Sequence, residues 1–213
     1  ALDLSLFSIA TFRDPAVAGS IFRSGAGAVP FLIPVMLQIG FGMSASQSGM
    51  VSFATALGAF AMKPLVRPLL KRTGFRGALM ANGVVAALGI AALSLIGPTW
   101  PSIAIFVLLA AGGLARSLQF TALNTLAFAE VPTERMSAAT ALYGTLQQLT
   151  PALGVVLATT TLEVSSAMAG RVNLLPIDFS RGFLVAAAVV LLSVPLHARL
   201  AADAGEEVSG HRR

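Results

Sequence analysis

Apolar stretches long enough to cross a lipid bilayer follow one another from residue 15 to residue 200, and few folds accommodate that pattern. The hydrocarbon core is about 30 Å thick, so a helix rising 1.5 Å per residue needs roughly 20 apolar residues to span it. Six runs reach that length, at about 15–41, 47–66, 77–97, 102–129, 137–162 and 182–200. Closed β-barrels are the other structure that satisfies every backbone polar group in lipid, but their strands are segments of about ten residues with alternating polarity. These runs are apolar on all sides. The sequence therefore predicts an all-α membrane protein: an N-terminal cytoplasmic segment over 1–14, a six-helix bundle over 15–200 and a cytoplasmic tail over 201–213.

Composition excludes most alternatives. With 56% hydrophobic residues, 11% charged residues and a mean hydropathy of +0.83, the chain is not an ordinary water-soluble domain. The net charge of +5 does not point to nucleic acid, because the basic residues lie between apolar runs. Cysteine is absent and the two histidines, His197 and His211, fall near the C-terminus, so no metal site, cofactor site or enzyme chemistry is expected. The first fourteen residues carry Asp3, Arg13 and Asp14 and do not read as a signal peptide. Without an initiator methionine, the chain reads as an excised or truncated piece.

Lysine and arginine set the expected orientation. With the N-terminus inside, the inner loops and tails hold Arg13, Lys63, Arg67, Lys71, Arg72, Arg76, Arg135, Arg199, Arg212 and Arg213, and the outer loops hold Arg171 and Arg181. Both termini are expected in the cytoplasm, beneath a bacterial inner membrane. The cluster from Lys63 to Arg76 reads first as a topology determinant meeting anionic headgroups, ahead of a gating role. The outer connection over 163–181 is expected to lie along the surface as an interfacial segment, and Trp100 suits a membrane interface.

Ionisable side chains inside a membrane are costly, and Arg23 and Arg116 are the two predicted there. At 100° per residue the first helix gathers Gly19, Arg23, Gly27, Pro30, Pro34 and Gln38 on one face. The fourth groups Gly112, Gly113, Arg116, Gln119 and Phe120, with Asn124 at the edge, and the fifth groups Thr140, Tyr143, Gln147, Thr150, Pro151 and Gly154. The third and sixth are nearly featureless and are expected to face lipid. Arg23 lies close enough to a helix end for snorkelling to headgroups to compete with a buried role, whereas Arg116 is central. Interhelical hydrogen bonding competes with substrate contact for Gln38, Gln119, Asn124 and Gln147. All nine acidic residues fall in loops, segment ends or tails on this reading, which places any coupling carboxylate elsewhere.

The motifs carry a resemblance. Ile21-Phe22-Arg23, Ala28-Val29-Pro30-Phe31-Leu32-Ile33-Pro34, Gln38-Ile39-Gly40-Phe41-Gly42, the stretch from Ala115 to Leu126, Val131-Pro132-Thr133-Glu134-Arg135 and Gln147-Gln148-Leu149 occur in this order along the chain. The sequence resembles the C-terminal six-helix half of a major facilitator superfamily transporter, in the fourteen-spanner branch of drug:proton antiporters. The resemblance implies two nested three-helix repeats, with the first, second, fourth and fifth helices lining a central cavity. It also implies a signature loop ending in Lys71-Arg72-Thr73-Gly74-Phe75-Arg76. Where that signature has a glycine and an acidic residue, this chain has Arg67 and Lys71, so the acid's role does not carry over.

The expected function is half of a secondary transporter, exporting amphipathic small molecules in exchange for protons. Arg23, Gln38, Arg116, Gln119, Phe120, Asn124, Tyr143 and Gln147 are its expected substrate contacts, with Phe31 and Met36 also lining a tolerant pocket. Lys63, Arg67, Lys71, Arg72, Gly74 and Arg76 form the gating or topology loop. The implied partners are the small-molecule substrate, protons through the missing half, the lipid bilayer, and an N-terminal six- or eight-helix half or a second copy. Uptake of a solute by the same fold, or a non-transporting membrane scaffold, are the alternatives.

Overall fold

A computed structural model of the chain describes residues 3–210; His211, Arg212 and Arg213 lie outside the described residues. Every regular element among the described residues is helical. The main elements are α1 (Ala10–Val35), α2 (Ala45–Ser52), α3 (Ala54–Leu93), α4 (Ser102–Ala127), α5 (Met136–Met168), α6 (Pro176–His197) and α7 (Glu206–Ser209). Five helical stretches are long and apolar enough to cross a membrane: Ala10–Gly40, Ala45–Leu93, Ser102–Ala127, Thr133–Met168 and Pro176–His197.

α1 starts at Ala10, five residues before the start read from hydropathy, so Asp14 belongs to the helix. A short 3₁₀ turn, Leu4–Ser8, leads into it and is capped by Asp3, which pairs with Arg135 at 2.9 Å just before α5. The Ser5 hydroxyl and then the Arg135 guanidinium hold the Asp3 carboxyl below the usual carboxylate range. Pro30 and Pro34 sit inside the last turns of α1, which then loosens into a π-helical turn, Met36–Gly40. Both prolines lack an N–H, so the carbonyls one turn earlier lose their usual helical partners.

The second helical stretch corrects an expectation. α2 opens with a capping box in which the Ser44 hydroxyl accepts from Gln47 N–H and the Gln47 side chain accepts from Ser44 N–H. From there the chain is almost continuously helical to Leu93, and the basic segment expected as a loop is helix on both sides of Gly74. Gly74 has φ 66° and ψ 171°, a combination essentially restricted to glycine, and it interrupts α3. The interruption folds α3 back on itself. Ala59 accepts a hydrogen bond from Ser117, and Asn82 donates to the Ala115 carbonyl, so both residues touch α4 within one turn. On a straight helix they would stand about 35 Å apart.

Close approach of the first arm of α3 to α4 depends on glycine. A Cβ at Gly58 would overlap the Ala110 carbonyl, and one at Gly113 would overlap the Thr55 carbonyl. α1 packs against α4, α5 and α6, and both α3 and α5 contact α6. A core of Phe22, Leu32, Leu37, Ile105, Leu109, Phe179 and Phe183 fills the middle of the bundle.

The connection over 163–181, expected on the outer side, is tighter than expected. α5 runs to Met168 and α6 begins at Pro176, so most of the anticipated interfacial segment is helix. Asp178, fully buried in the first turn of α6, accepts two hydrogen bonds from Arg171, one from Leu175 N–H and one from the Ser165 hydroxyl. Apolar side chains cover the outer faces of the second arm of α3 (Val85, Leu88) and of α6 (Leu191, Leu192). This surface, together with the five apolar stretches, makes the chain a multi-pass membrane protein.

Candidate functional site

Arg23 projects from the middle of α1 into the bundle and is 2% exposed. Its guanidinium donates to the Tyr143 hydroxyl on α5 at 2.6 Å, to Asn124 Oδ1 on α4 at 3.0 Å and to the Pro15 carbonyl at 3.4 Å. It also stands over the Tyr143 and Phe120 rings, 5.0 and 5.5 Å from their centroids. Gly19, one turn back, leaves room for it, since a Cβ there would lie 3.1 Å from Nη1. Snorkelling is therefore excluded by geometry: the charge is spread over hydrogen bonds and two π faces instead of reaching headgroups. Four of the expected site residues, Arg23, Phe120, Asn124 and Tyr143, meet here on three helices.

Arg116 is in a different environment. Half-buried on α4, it forms no hydrogen bond or ion pair among the described residues. On one side it lines a small cavity of about 40 Å³ with Phe22, Ala26, Thr55 and Ile90. On the other it lines a groove of about 220 Å³ with Val29, Pro30, Ile33, Pro34, Ser52 and Thr55. The five N–H donors of a guanidinium thus face space bounded by apolar side chains, the two prolines and two hydroxyl residues, an arrangement suited to the polar end of an otherwise apolar ligand.

The remaining expected residues are placed elsewhere. Gln38 is exposed in the π-helical turn, and Gln147 is half-buried on α5, one turn beyond Tyr143. Met36 is core, 1% exposed, and does not line the groove. Gln119 does not face the Arg23 cluster: it is fully buried toward the second arm of α3 and toward α6. Lys63, Arg67, Lys71 and Arg72 project from the exposed side of α3 before Gly74, and Arg76 is half-buried after it. Arg67 and Lys71 border a groove of about 760 Å³ with Glu207 of α7.

Sequence reading missed three polar residues that Gln119 brings together. Asn82 donates to Gln119 Oε1 at 2.8 Å; Gln119 Nε2 lies 3.4 Å from His197 Nε2; His197 Nδ1 lies 2.8 Å from Asp14 Oδ2. The chain links α3, α4, α6 and α1, so α3 and α6 are not featureless. A lone Asn in the middle of an apolar run was the available signal for Asn82.

Comparison with known proteins agrees with this architecture. The profile described as Major Facilitator Superfamily matches residues 5–155. A protein of Escherichia coli O6:H1 that carries the provisional name multidrug resistance protein MdtD is 30% identical over 98% of this chain and 46% of its own length. The proteins of the same name from Enterobacter sp. (strain 638) and Serratia proteamaculans are 32% and 30% identical, each over 73% of this chain and about a third of their own length. The chain thus spans less than half the length of these relatives. An all-helical bundle with apolar outer faces, a hairpin turned at a basic glycine-containing segment and a buried arginine, matched over most of its length, belongs to the Major Facilitator Superfamily.

Proposed function

We propose that this chain is half of a secondary active transporter that exports amphipathic small molecules in exchange for protons by alternating access. The observation that carries the reading is Arg116, a guanidinium without a protein partner among the described residues, between a small cavity and an open groove. Structural arginines in lipid are normally paired, as Arg23 is; one facing a cavity is an anchor for substrate or for a partner across it. The provisional name of the relatives favours drugs as the substrate class.

In this proposal the 49 residues of Ala45–Leu93, about 73 Å if straight, make two crossings joined at Gly74, giving six in all. The six arrange as two nested three-helix repeats, with both termini on the cytoplasmic side of a bacterial inner membrane. The partner is a second helical bundle, an N-terminal half or another copy, which closes the groove beside Arg116 and brings the coupling proton site.

Everted membrane vesicles provide the test. Vesicles from cells expressing the chain with its complementary half should accumulate a fluorescent amphipathic compound with a hydrogen-bond-accepting polar end in a proton-gradient-dependent manner, and vesicles holding these 213 residues alone should not. Concentrative flux by a demonstrated monomer of this chain would overturn the half-transporter reading. Absence of flux from the paired halves would favour a scaffold, and flux of opposite sense an importer.

A further inference from the structure

The Asn82–Gln119–His197–Asp14 chain can be read atom by atom, because two backbone carbonyls fix its polarity. Asn82 Nδ2 lies 2.8 Å from the Ala115 carbonyl oxygen, which only accepts, so the amide nitrogen must be on that side. The same nitrogen donates to Gln119 Oε1 at 2.8 Å. Gln119 Nε2 is correspondingly 3.3 Å from the Leu79 carbonyl, and both amides are thereby locked. Gln119 therefore presents N–H to His197 Nε2 at 3.4 Å, and that ring nitrogen must accept. The proton of a neutral imidazole is then on Nδ1, donated to Asp14 Oδ2 at 2.8 Å.

This network is satisfied in one charge state only. A proton added to the Nε2 lone pair would set N–H against N–H at Gln119. Turning the Gln119 amide over would place its oxygen against the Leu79 carbonyl and its NH₂ against that of Asn82, which the Ala115 carbonyl holds in place. No amide rotation relieves the conflict. On the other side the Nδ1–H bond to Asp14 is retained and becomes an ion pair. Of the two side chains, His197 is fully buried and Asp14 is 9% exposed.

Asp14 opens to a pocket, whereas His197 behind it does not. Asp14 lines a pocket of about 400 Å³ with Arg13, Val17, Leu196 and Arg199. The charged groups around the imidazole are Asp14 in contact on α1, and Arg13 and Arg199 across the pocket; α4 and α3 bring the neutral amides of Gln119 and Asn82. Arg23 stands nine residues further along α1, about 14 Å by helical rise, and is occupied by Tyr143 and Asn124.

We propose that His197 is a proton-binding site within this chain, and that its protonation exchanges the Gln119 hydrogen bond on α4 for an ionic attachment of the C-terminal end of α6 to Asp14 on α1. The net step adds one H⁺ from solvent to the Nε2 lone pair and breaks no covalent bond. Loss of the Gln119 contact frees α6 from α4, while the imidazolium–carboxylate pair tightens it on α1.

The test reads the proton itself, so it stands or falls separately from any transport activity. The complete protein containing this chain is labelled with ¹⁵N in its histidine, asparagine and glutamine side chains in lipid nanodiscs, and His197→Gln identifies the His197 ring signals by their disappearance. At alkaline pH the ring should show the Nδ1–H tautomer with a bare Nε2. Acidification should protonate Nε2 in one step. The side-chain amide signals of Gln119 and Asn82 should move with the same midpoint. An Nε2–H tautomer at alkaline pH, a ring that never titrates, or amide signals that stay still through the titration would each overturn the proposal. These are wild-type measurements, so instability of a variant does not blunt them.

Discussion

Two arginines on neighbouring helices do different work, and alanine replacement should separate them. Arg23→Ala leaves the Tyr143 hydroxyl and Asn124 Oδ1 without their donor in a buried site and removes a cation from between two rings. A loss of about 2 kcal/mol in stability is expected, read as earlier unfolding of the detergent-solubilised protein. Arg116→Ala breaks no bond with the described residues and should shift the same unfolding curve by no more than about 0.5 kcal/mol. In the paired, transporting protein, however, it should abolish or uncouple flux. Arg116→Lys should rescue only part of that flux, because a single ammonium lacks the planar fork of donors. A strongly destabilised Arg116→Ala protein would assign that residue to structure. Both arginines were legible as intramembrane charges from the sequence; their partners were not. Helical phase groups Gln119 with Arg116 and Phe120, but α4 is packed by α1 on one side and by α3 and α6 on others. One polar arc is thereby divided among neighbours that periodicity does not name. Asp14 was lost for a different reason: the charges of Arg13 and Asp14 set the start of the apolar run at Pro15, yet α1 begins five residues earlier and includes both.

At the scale of elements, apolar length located the helices but missed some ends by five or six residues, at the starts of α1 and α6 and the end of α5, and the largest departure is the segment around Gly74. Its charge reads as a loop, but Pro64 and Pro68 are accommodated within helix and only Gly74 leaves the helical region. Gly74→Ala should cost about 2 kcal/mol, since an L side chain at φ 66°, ψ 171° is strained wherever it points. The expected signature is a lower unfolding temperature with unchanged helix content by circular dichroism. Unchanged stability of the Gly74→Ala protein would mean that the turn is made some other way. Gly113→Val tests the adjoining packing: a side chain in the Thr55 carbonyl must separate α4 from the first arm of α3. Poor membrane insertion or a thermally weakened fold is expected, and wild-type behaviour would contradict the close approach.

For the whole molecule, the charge asymmetry predicts sidedness. Cysteines placed at Arg72 and Glu134 should react with an impermeant maleimide only from the cytoplasmic side, and one at Asn173 only from the opposite side. Labelling of positions 72 and 173 from the same side would refute the six-crossing arrangement. The bundle also contains a region of mechanical compliance. Proline at 30 and 34, followed by a π-helical turn, leaves the far end of α1 with fewer backbone hydrogen bonds than a regular helix of that length. Bending there sacrifices none of the missing bonds, and Pro30 and Pro34 form one wall of the groove that Arg116 lines from the other helix. On the proposed reading of Arg116, flexing that single wall would widen or narrow the mouth of the groove while the guanidinium stays fixed on α4, so that one anchoring charge would serve ligands of different girth.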